Sequence, residues 1–171
     1  GCLLLACLSE LPVATGLGID ISPGAIDIAA HNADVLGLAD RATFAVADFT
    51  ATLVGLGCFD IILSNPPYIP SAQIATLSAE VAEHDPFLAL DGGQDGFDCW
   101  RRMMPKMAKL LSARGRIFVE IGDGQGAGVT ALAGDVGLSA VGVFADLSGT
   151  QRCLVFSPDA DHEVVAKIPC A

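Results

Sequence analysis

Phe59-Asp60-Ile61-Ile62-Leu63-Ser64-Asn65-Pro66-Pro67-Tyr68 is the stretch on which the fold turns. Its first half is a short apolar run of the kind that fills a buried strand of a parallel sheet. Two prolines then stop it, because neither has an N–H to give to a ladder. In open α/β sheets, ligands bind just beyond the carboxyl ends of the strands. A stiff loop at that place offers the Asn65 amide, carbonyls released from regular pairing and the Tyr68 ring, a set suited to a small planar polar group. The same residues would also serve as a plain proline-rich turn with a surface tyrosine, so the motif needs its context.

Upstream, Cys2 to Leu11 reads as a buried helix that stops before Pro12, and Leu17-Gly18-Ile19-Asp20-Ile21 as a strand ending on an acid. Ser22 is an N-cap with Pro23 at the first helical position. Ile26, Ala29, Ala30, Ala33 and Leu36 follow at helical spacing, and Gly37 is the natural stop. Thr43 to Ala47 reads as a further strand, ending on Asp48. Downstream, the long stretch Ile69 to Gly96 has an acidic centre, and a connection of that length is usually functional or partly helical. Phe97 to Leu111 suits a helix that Pro105 kinks or divides. Gly115 closes that helix before the strand Arg116 to Ile121, and Gly126 to Val136 suits a short helix. Ala140 to Phe144 and Arg152 to Phe156 are the last strands, joined by a turn. Strands alternate with helices until that pair, which predicts a mostly parallel α/β sheet ending in an antiparallel hairpin.

Composition sets the class. With 171 residues, 52% of them hydrophobic, the chain can bury one substantial core. Nine basic residues against twenty acidic ones give a net charge of −11, and the densest basic cluster is only Arg101-Arg102 with Lys106 and Lys109. Direct nucleic-acid binding is therefore not expected, since proteins that grip phosphate backbones show a basic stripe. The six cysteines are scattered without a CxxC pair or a metal-ligand spacing, and read as small buried hydrophobes of a cytoplasmic protein. No metal is expected, and His31, His84 and His162 stand isolated. No apolar run reaches the roughly 18 to 20 residues needed to cross a bilayer, so no membrane association is expected. Cys2 to Leu8 is too short, and lacks the basic start, for a signal peptide.

Two acids lie just past strand ends ahead of the Asn-Pro-Pro-Tyr loop. A carboxylate there, such as Asp20, can accept from both hydroxyls of a ribose. Asp48 with Phe49 could take an adenine amino group while the ring packs on the base. Each acid alone would serve equally as a helix cap or loop residue. Asp20, Asp48 and Asn65 at three successive strand ends make a stronger case together.

Leu63-Ser64-Asn65-Pro66-Pro67-Tyr68-Ile69-Pro70, Glu83 to Pro86 and Leu88-Ala89-Leu90-Asp91-Gly92-Gly93 with Asp95-Gly96 resemble the glutamine N5-methyltransferases of peptide-chain release factors, the HemK/PrmC type. Glu120-Ile121-Gly122 with Gln125, and Asp146-Leu147-Ser148-Gly149 with Arg152, extend the resemblance over roughly residues 1 to 157. The Asn-Pro-Pro-Tyr tetrad is shared with adenine-N6 and other amino methyltransferases, whereas the later stretches narrow the family. The resemblance implies a Rossmann-like class I fold dependent on S-adenosylmethionine. It implies methyl transfer to the side-chain amide of the glutamine in the Gly-Gly-Gln motif of class 1 release factors. By the same resemblance, Asn65 and the Pro66 carbonyl accept the two amide hydrogens, with Pro67 and Tyr68 completing the substrate site. Gly1, Asp20, Asp48 and Phe49, together with Asn65, would hold the cofactor. Glu83 and the Asp91-Gly92-Gly93 turn would shape the loop over the site.

The family carries a first strand and a glycine-rich loop, of which Gly1 corresponds to the last glycine. Residues 1–157 are thus expected to be an N-terminally truncated catalytic domain and 158–171 a tail. The absent strand would lie between those ending at Asp20 and at Asn65, so the chain alone is expected to be weakly stable and nearly inactive. Three other readings stay open: an adenine-N6 methyltransferase, a ribosomal-protein glutamine methyltransferase, and a catalytically dead binding module. A nicotinamide-binding domain fits less well, as no Gly-x-Gly-x-x-Gly follows a strand.

Overall fold

Ser22 shows how directly local chemistry sets the elements of this chain. Its hydroxyl accepts a hydrogen bond from the Ala25 N–H at 3.3 Å, and Pro23 sits at the first helical position. The computed structural model describes residues 1–51, 56–78, 80 and 84–159. It divides into two compact units, Gly1–Val54 and Gly55–Ala171.

In the first unit, α1 (Cys2–Glu10) and α2 (Pro23–Val35) accompany β1 (Gly16–Asp20) and β2 (Ala42–Val46), which pair in parallel. Leu5, Leu8, Ala33 and Leu38 make the buried centre, with Leu4 and Phe44 packed against it. The helices bury one face only. Leu5 and Leu8 are the buried residues of α1, while Ala29 and Ala33 are those of α2. Ala30 is exposed and Leu36 remains 57% exposed, although helical spacing placed both in the apolar stripe. A two-stranded sheet is too narrow to cover the full width of that stripe. Gly37 follows α2 at φ 68°, as expected of a C-terminal glycine. The cysteines are less buried than their residue type suggested, with Cys2 exposed and Cys7, Cys99 and Cys153 half-buried.

α1 ends without a basic residue in its last turn. Arg41 supplies the cation from a distance: its guanidinium donates to Leu8 O at 2.8 Å and to Leu11 O and Ala14 O at 2.9 Å each. One charged group thereby satisfies carbonyls of the last helical turn, the C-cap Leu11 and the connection that follows. Arg41→Ala is expected to cost about 2 kcal/mol of stability. Arg41→Lys should recover only part of it, because an ammonium cannot fork to all three. Chemical denaturation of the two variants measures the difference, and equal stability of Arg41→Ala and the parent would refute it.

In the second unit, the strands run in the order β3-β4-β6-β5, with β3 (Phe59–Ser64) parallel to β4 (Leu111–Glu120). β5 (Leu138–Ala145) and β6 (Gln151–Pro158) form an antiparallel pair, and β6 also lies antiparallel to β4. The expected mostly parallel sheet with a C-terminal hairpin is thus present as one parallel pair in each unit plus the hairpin. Among the described residues β1 pairs only with β2, and β3 only with β4. The β5–β6 ladder slips at two places, between Ala140 and Gly142 and between Phe144 and Ala145. Pro158 ends β6, and the rest of the expected tail, 160–171, lies outside the described residues.

α3 (Asp98–Leu110) buries Trp100, Met103, Met104 and Met107, an i, i+3, i+4, i+7 stripe. Pro105 neither divides it nor ends it. The proline is exposed, so water can satisfy the carbonyl its ring leaves unbonded. Gly115 does not close the helix either, because β4 begins at Leu111 directly after it. The register shifts there, Phe59 facing Leu111 and Ile61 facing Arg116. A Cβ at Gly115 would meet Leu111 Cδ1 at 2.5 Å and Phe59 O at 3.0 Å, so the glycine permits a close approach inside the strand. α4 (Gly126–Gly134) completes the unit, burying Val129 and Ala133.

Candidate active site

The site in the second unit is built where β3 ends. Ser64 is the last strand residue; Asn65 is exposed, Pro66 is fully buried, and Pro67 and Tyr68 are half-buried. The buried proline pins the loop to the core while Asn65 faces out beside it.

Gln125 holds the loop from behind. It is buried, at 8% exposure, and its amide is fully used. Nε2 donates to Tyr68 O at 3.0 Å and to Gly96 O at 3.2 Å, and Oε1 accepts from the Gly122 N–H at 3.0 Å. One side chain thus ties three loops together. The turn at Asp91-Gly92-Gly93 supports the same segment, as expected. Ile69 N–H donates to Leu90 O at 3.0 Å, and Gly92 N–H returns a bond to Ile69 O at 2.8 Å. A Cβ at Gly92 would lie 2.8 Å from Tyr68 Cα, so only glycine lets the two backbones approach this closely. The Asp91 carboxylate accepts from Ser71 Oγ at 2.6 Å and from the Gly93 N–H at 3.0 Å. Glu83, expected to shape this loop, lies outside the described residues.

The far end of Tyr68 is held as well. Its hydroxyl donates to Glu120 Oε1 at 3.2 Å. Burial first, then the Glu120 charge and that hydrogen bond, push the phenol above its ordinary value, while Arg152 pulls it the other way. Arg152 is itself engaged, Nε reaching Asp146 Oδ2 at 3.2 Å and Nη1 donating to Ile121 O at 3.4 Å. The Asp146 carboxyl is drawn down to about 2, chiefly by the Ser148 hydroxyl and, against a push from burial, by the Thr150 N–H and Arg152. The Asp-Leu-Ser-Gly stretch is thus a self-bonded hairpin turn. Reading the sequence for strand ends missed the parts played by Glu120 and Gln125. One available signal was a glutamine beside a glycine-rich turn, a polar residue at the start of an otherwise apolar helix.

In the first unit, Asp20 and Asp48 lie at the carboxyl edge of the same parallel pair. Asp20 faces Val46 across the ladder, and the Ala47 N–H donates to Asp20 O at 2.9 Å. Asp20 is exposed, and its Oδ1 accepts from the Ser22 N–H at 2.9 Å. Gly1, Asp20 and Phe44 line one small cavity of about 40 Å³. Asp48 and Phe49 follow β2, both half-buried. Asp48 Oδ1 accepts from the Thr50 N–H at 2.7 Å and from Thr50 Oγ1 at 2.6 Å, so this oxygen fixes a local turn. An exposed carboxylate at a strand end suits the hydroxyls of a ribose. His31 and His84 are exposed, and among the described residues no cluster of His, Cys, Asp and Glu is placed to hold a metal.

Residues 2–133 match the family described as a methyltransferase domain. The chain belongs to that family. This methyltransferase domain is similar to the release factor glutamine methyltransferase of Rhodospirillum rubrum, 51% identical over 91% of this chain and 47% of the relative. It is likewise similar to that of Caulobacter vibrioides, 44% identical over 91% of this chain and 53% of the relative. The chain spans about half the length of these curated relatives. Its fold is that of a TehB-like SAM-dependent methyltransferase from Corynebacterium glutamicum, with a TM-score of 0.54 and 19% identity over 85% of this chain and 68% of the other. The class I S-adenosylmethionine-dependent methyltransferase fold and the resemblance read from the sequence are both borne out. S-adenosylmethionine is the cofactor that goes with this domain.

Proposed function

We propose that this chain is the catalytic portion of an enzyme that methylates the side-chain amide nitrogen, N5, of the glutamine in the Gly-Gly-Gln motif of class 1 release factors. Residues 1–157 act in this reading as one methyltransferase domain, working in the cytoplasm where translation ends. The observation that carries it is the loop after β3, where an exposed Asn65 stands beside a buried Pro66 and a Tyr68 held at both ends. The names of relatives up to 51% identical support the same substrate.

S-adenosylmethionine supplies the electrophilic methyl group. Asp20 would hold its ribose, with Asp48 and Phe49 at the adenine, Gly1 beside Asp20 and Asn65 at the reacting end. An amide nitrogen is a poor nucleophile because its lone pair is delocalised into the carbonyl. The Asn65 side-chain oxygen and the Pro66 carbonyl accept its two hydrogens, orienting the nitrogen and stabilising the positive charge that develops there. Pro67 stiffens the loop, and the Tyr68 ring packs on the amide face and excludes water. The tetrad itself contains no strong base, so the proton leaves after the methyl group has arrived.

Radiolabelled methyl transfer to a purified class 1 release factor tests this, using the chain and a version extended to the length of its relatives. Label in the release factor from the extended version, abolished when the acceptor glutamine is changed, is the expected result, with little or none from the chain alone. Label in an oligonucleotide or a ribosomal protein instead would overturn the substrate assignment. Transfer to no acceptor by either form would favour a binding module.

A further inference from the structure

The Tyr68 main chain is fixed by Pro66, Pro67 and the Gln125 amide. What remains free is the swing of the ring about its two side-chain torsions. That freedom is what an acceptor site must remove, because a ring out of place neither covers the substrate amide nor keeps water away. The residue at the far end of the ring is a carboxylate. Glu120 ends β4, and Ser64 pairs with Val119 in the β3–β4 ladder. The next residues along the two chains are Asn65, just past the end of β3, and Glu120, the last of β4. The carboxylate stands at the acceptor end of the sheet and receives the Tyr68 hydroxyl at 3.2 Å.

We propose that Glu120 is a positioning residue of the acceptor site, which sets the Tyr68 ring over the substrate amide by holding its hydroxyl. The proposal rests on reading Asn65–Tyr68 as the acceptor loop. A carboxylate serves better than a neutral acceptor because its charge strengthens the attraction for the phenol hydrogen, even across 3.2 Å. The groups facing Glu120 are Tyr68 and its ladder partner Cys153, while Arg152 of β6 acts on the Tyr68 phenol. Arg152 is committed to Asp146 and Ile121 O, which leaves the phenol as the donor that Glu120 holds.

Two measurements test this. Tyr68 is the sole tyrosine, so alkaline titration of tyrosinate absorbance reads its hydroxyl directly, with no methyl acceptor present. Glu120→Gln keeps the shape and removes the charge, and the midpoint should fall toward the ordinary value of about 10. An unchanged midpoint would overturn the contact. In methyl transfer, Glu120→Gln and Tyr68→Phe should each lower kcat about tenfold, a fall that one lost charge-assisted bond can produce. In the Tyr68→Phe background Glu120→Gln should cost nothing further. A Glu120→Gln effect that persists in full without the hydroxyl would show that Glu120 does not act through Tyr68. Lack of methyl transfer by the unmutated chain extended to the length of its relatives would overturn the proposed function instead, and the titration would still decide the role of Glu120.

Discussion

Asn65→Ala is expected to lower the rate of methyl transfer by about 10²- to 10³-fold, the size of effect seen when one preorganised partner of a developing charge is removed. The affinity for S-adenosylmethionine should change far less. Asn65 is exposed at the end of β3, so its truncation leaves no cavity and should shift stability by no more than about 0.5 kcal/mol. Its side chain is set to face a ligand rather than to support the core. In the proposed chemistry it accepts one hydrogen of the substrate amide while the Pro66 carbonyl accepts the other. Removing one acceptor leaves the nitrogen free to turn away from the line of attack and strips stabilisation from the charge growing on it. A turnover assay paired with a donor-binding titration separates the two quantities. An undiminished rate would end the assignment of Asn65 to the reaction.

Gln125→Leu should cost stability more than any surface change in the second unit. Three groups lose their partner at once: the Gly122 N–H, Tyr68 O and Gly96 O. Each unsatisfied buried group costs about 1–3 kcal/mol, so a loss of about 3–5 kcal/mol is expected once some water has entered. That is a large share of the roughly 5–15 kcal/mol of a typical domain. Gln125→Glu should fail as well despite its matching shape, since an ionised carboxylate has no hydrogen to give either carbonyl. Urea denaturation of both variants provides the measurement. A loss below about 1 kcal/mol would mean that the three loops hold together without this amide.

What could be read from the sequence was local. The strand at 59–64 and its stop followed from an apolar run meeting two prolines, and the Ser22 cap and the closing hairpin needed only near neighbours. Asp20 and Asp48 could be placed at strand ends because apolar runs and their stops locate those ends. What escaped depended on distant partners. Gln125 meets Tyr68 across 57 residues and Glu120 meets it across 52, and the stretch around either residue does not name its distant partner. Gly115 was misread because glycine serves two purposes, ending helices and admitting close neighbours, and only the nearness of Leu111 and Phe59 separates them. Pro105 does not divide the helix, because the cost of a helical proline depends on which face it occupies. Leu36 and Ala30 were misplaced because periodicity marks an apolar stripe but not the width of the sheet that must cover it.

The irregular β5–β6 ladder has a consequence for how molecules of this protein behave in company. Among the described residues β5 is an outer strand, eight residues long without a single charge, and Val141, Val143 and Phe144 on it are exposed. A smooth edge of that kind is a template on which a second molecule can anneal. The slip between Ala140 and Gly142 breaks the even spacing that annealing requires. Mutual repulsion from a net charge of −11 adds to this protection, but added salt screens it. In concentrated salt, therefore, the two slips in the ladder are what remains to discourage annealing along this edge.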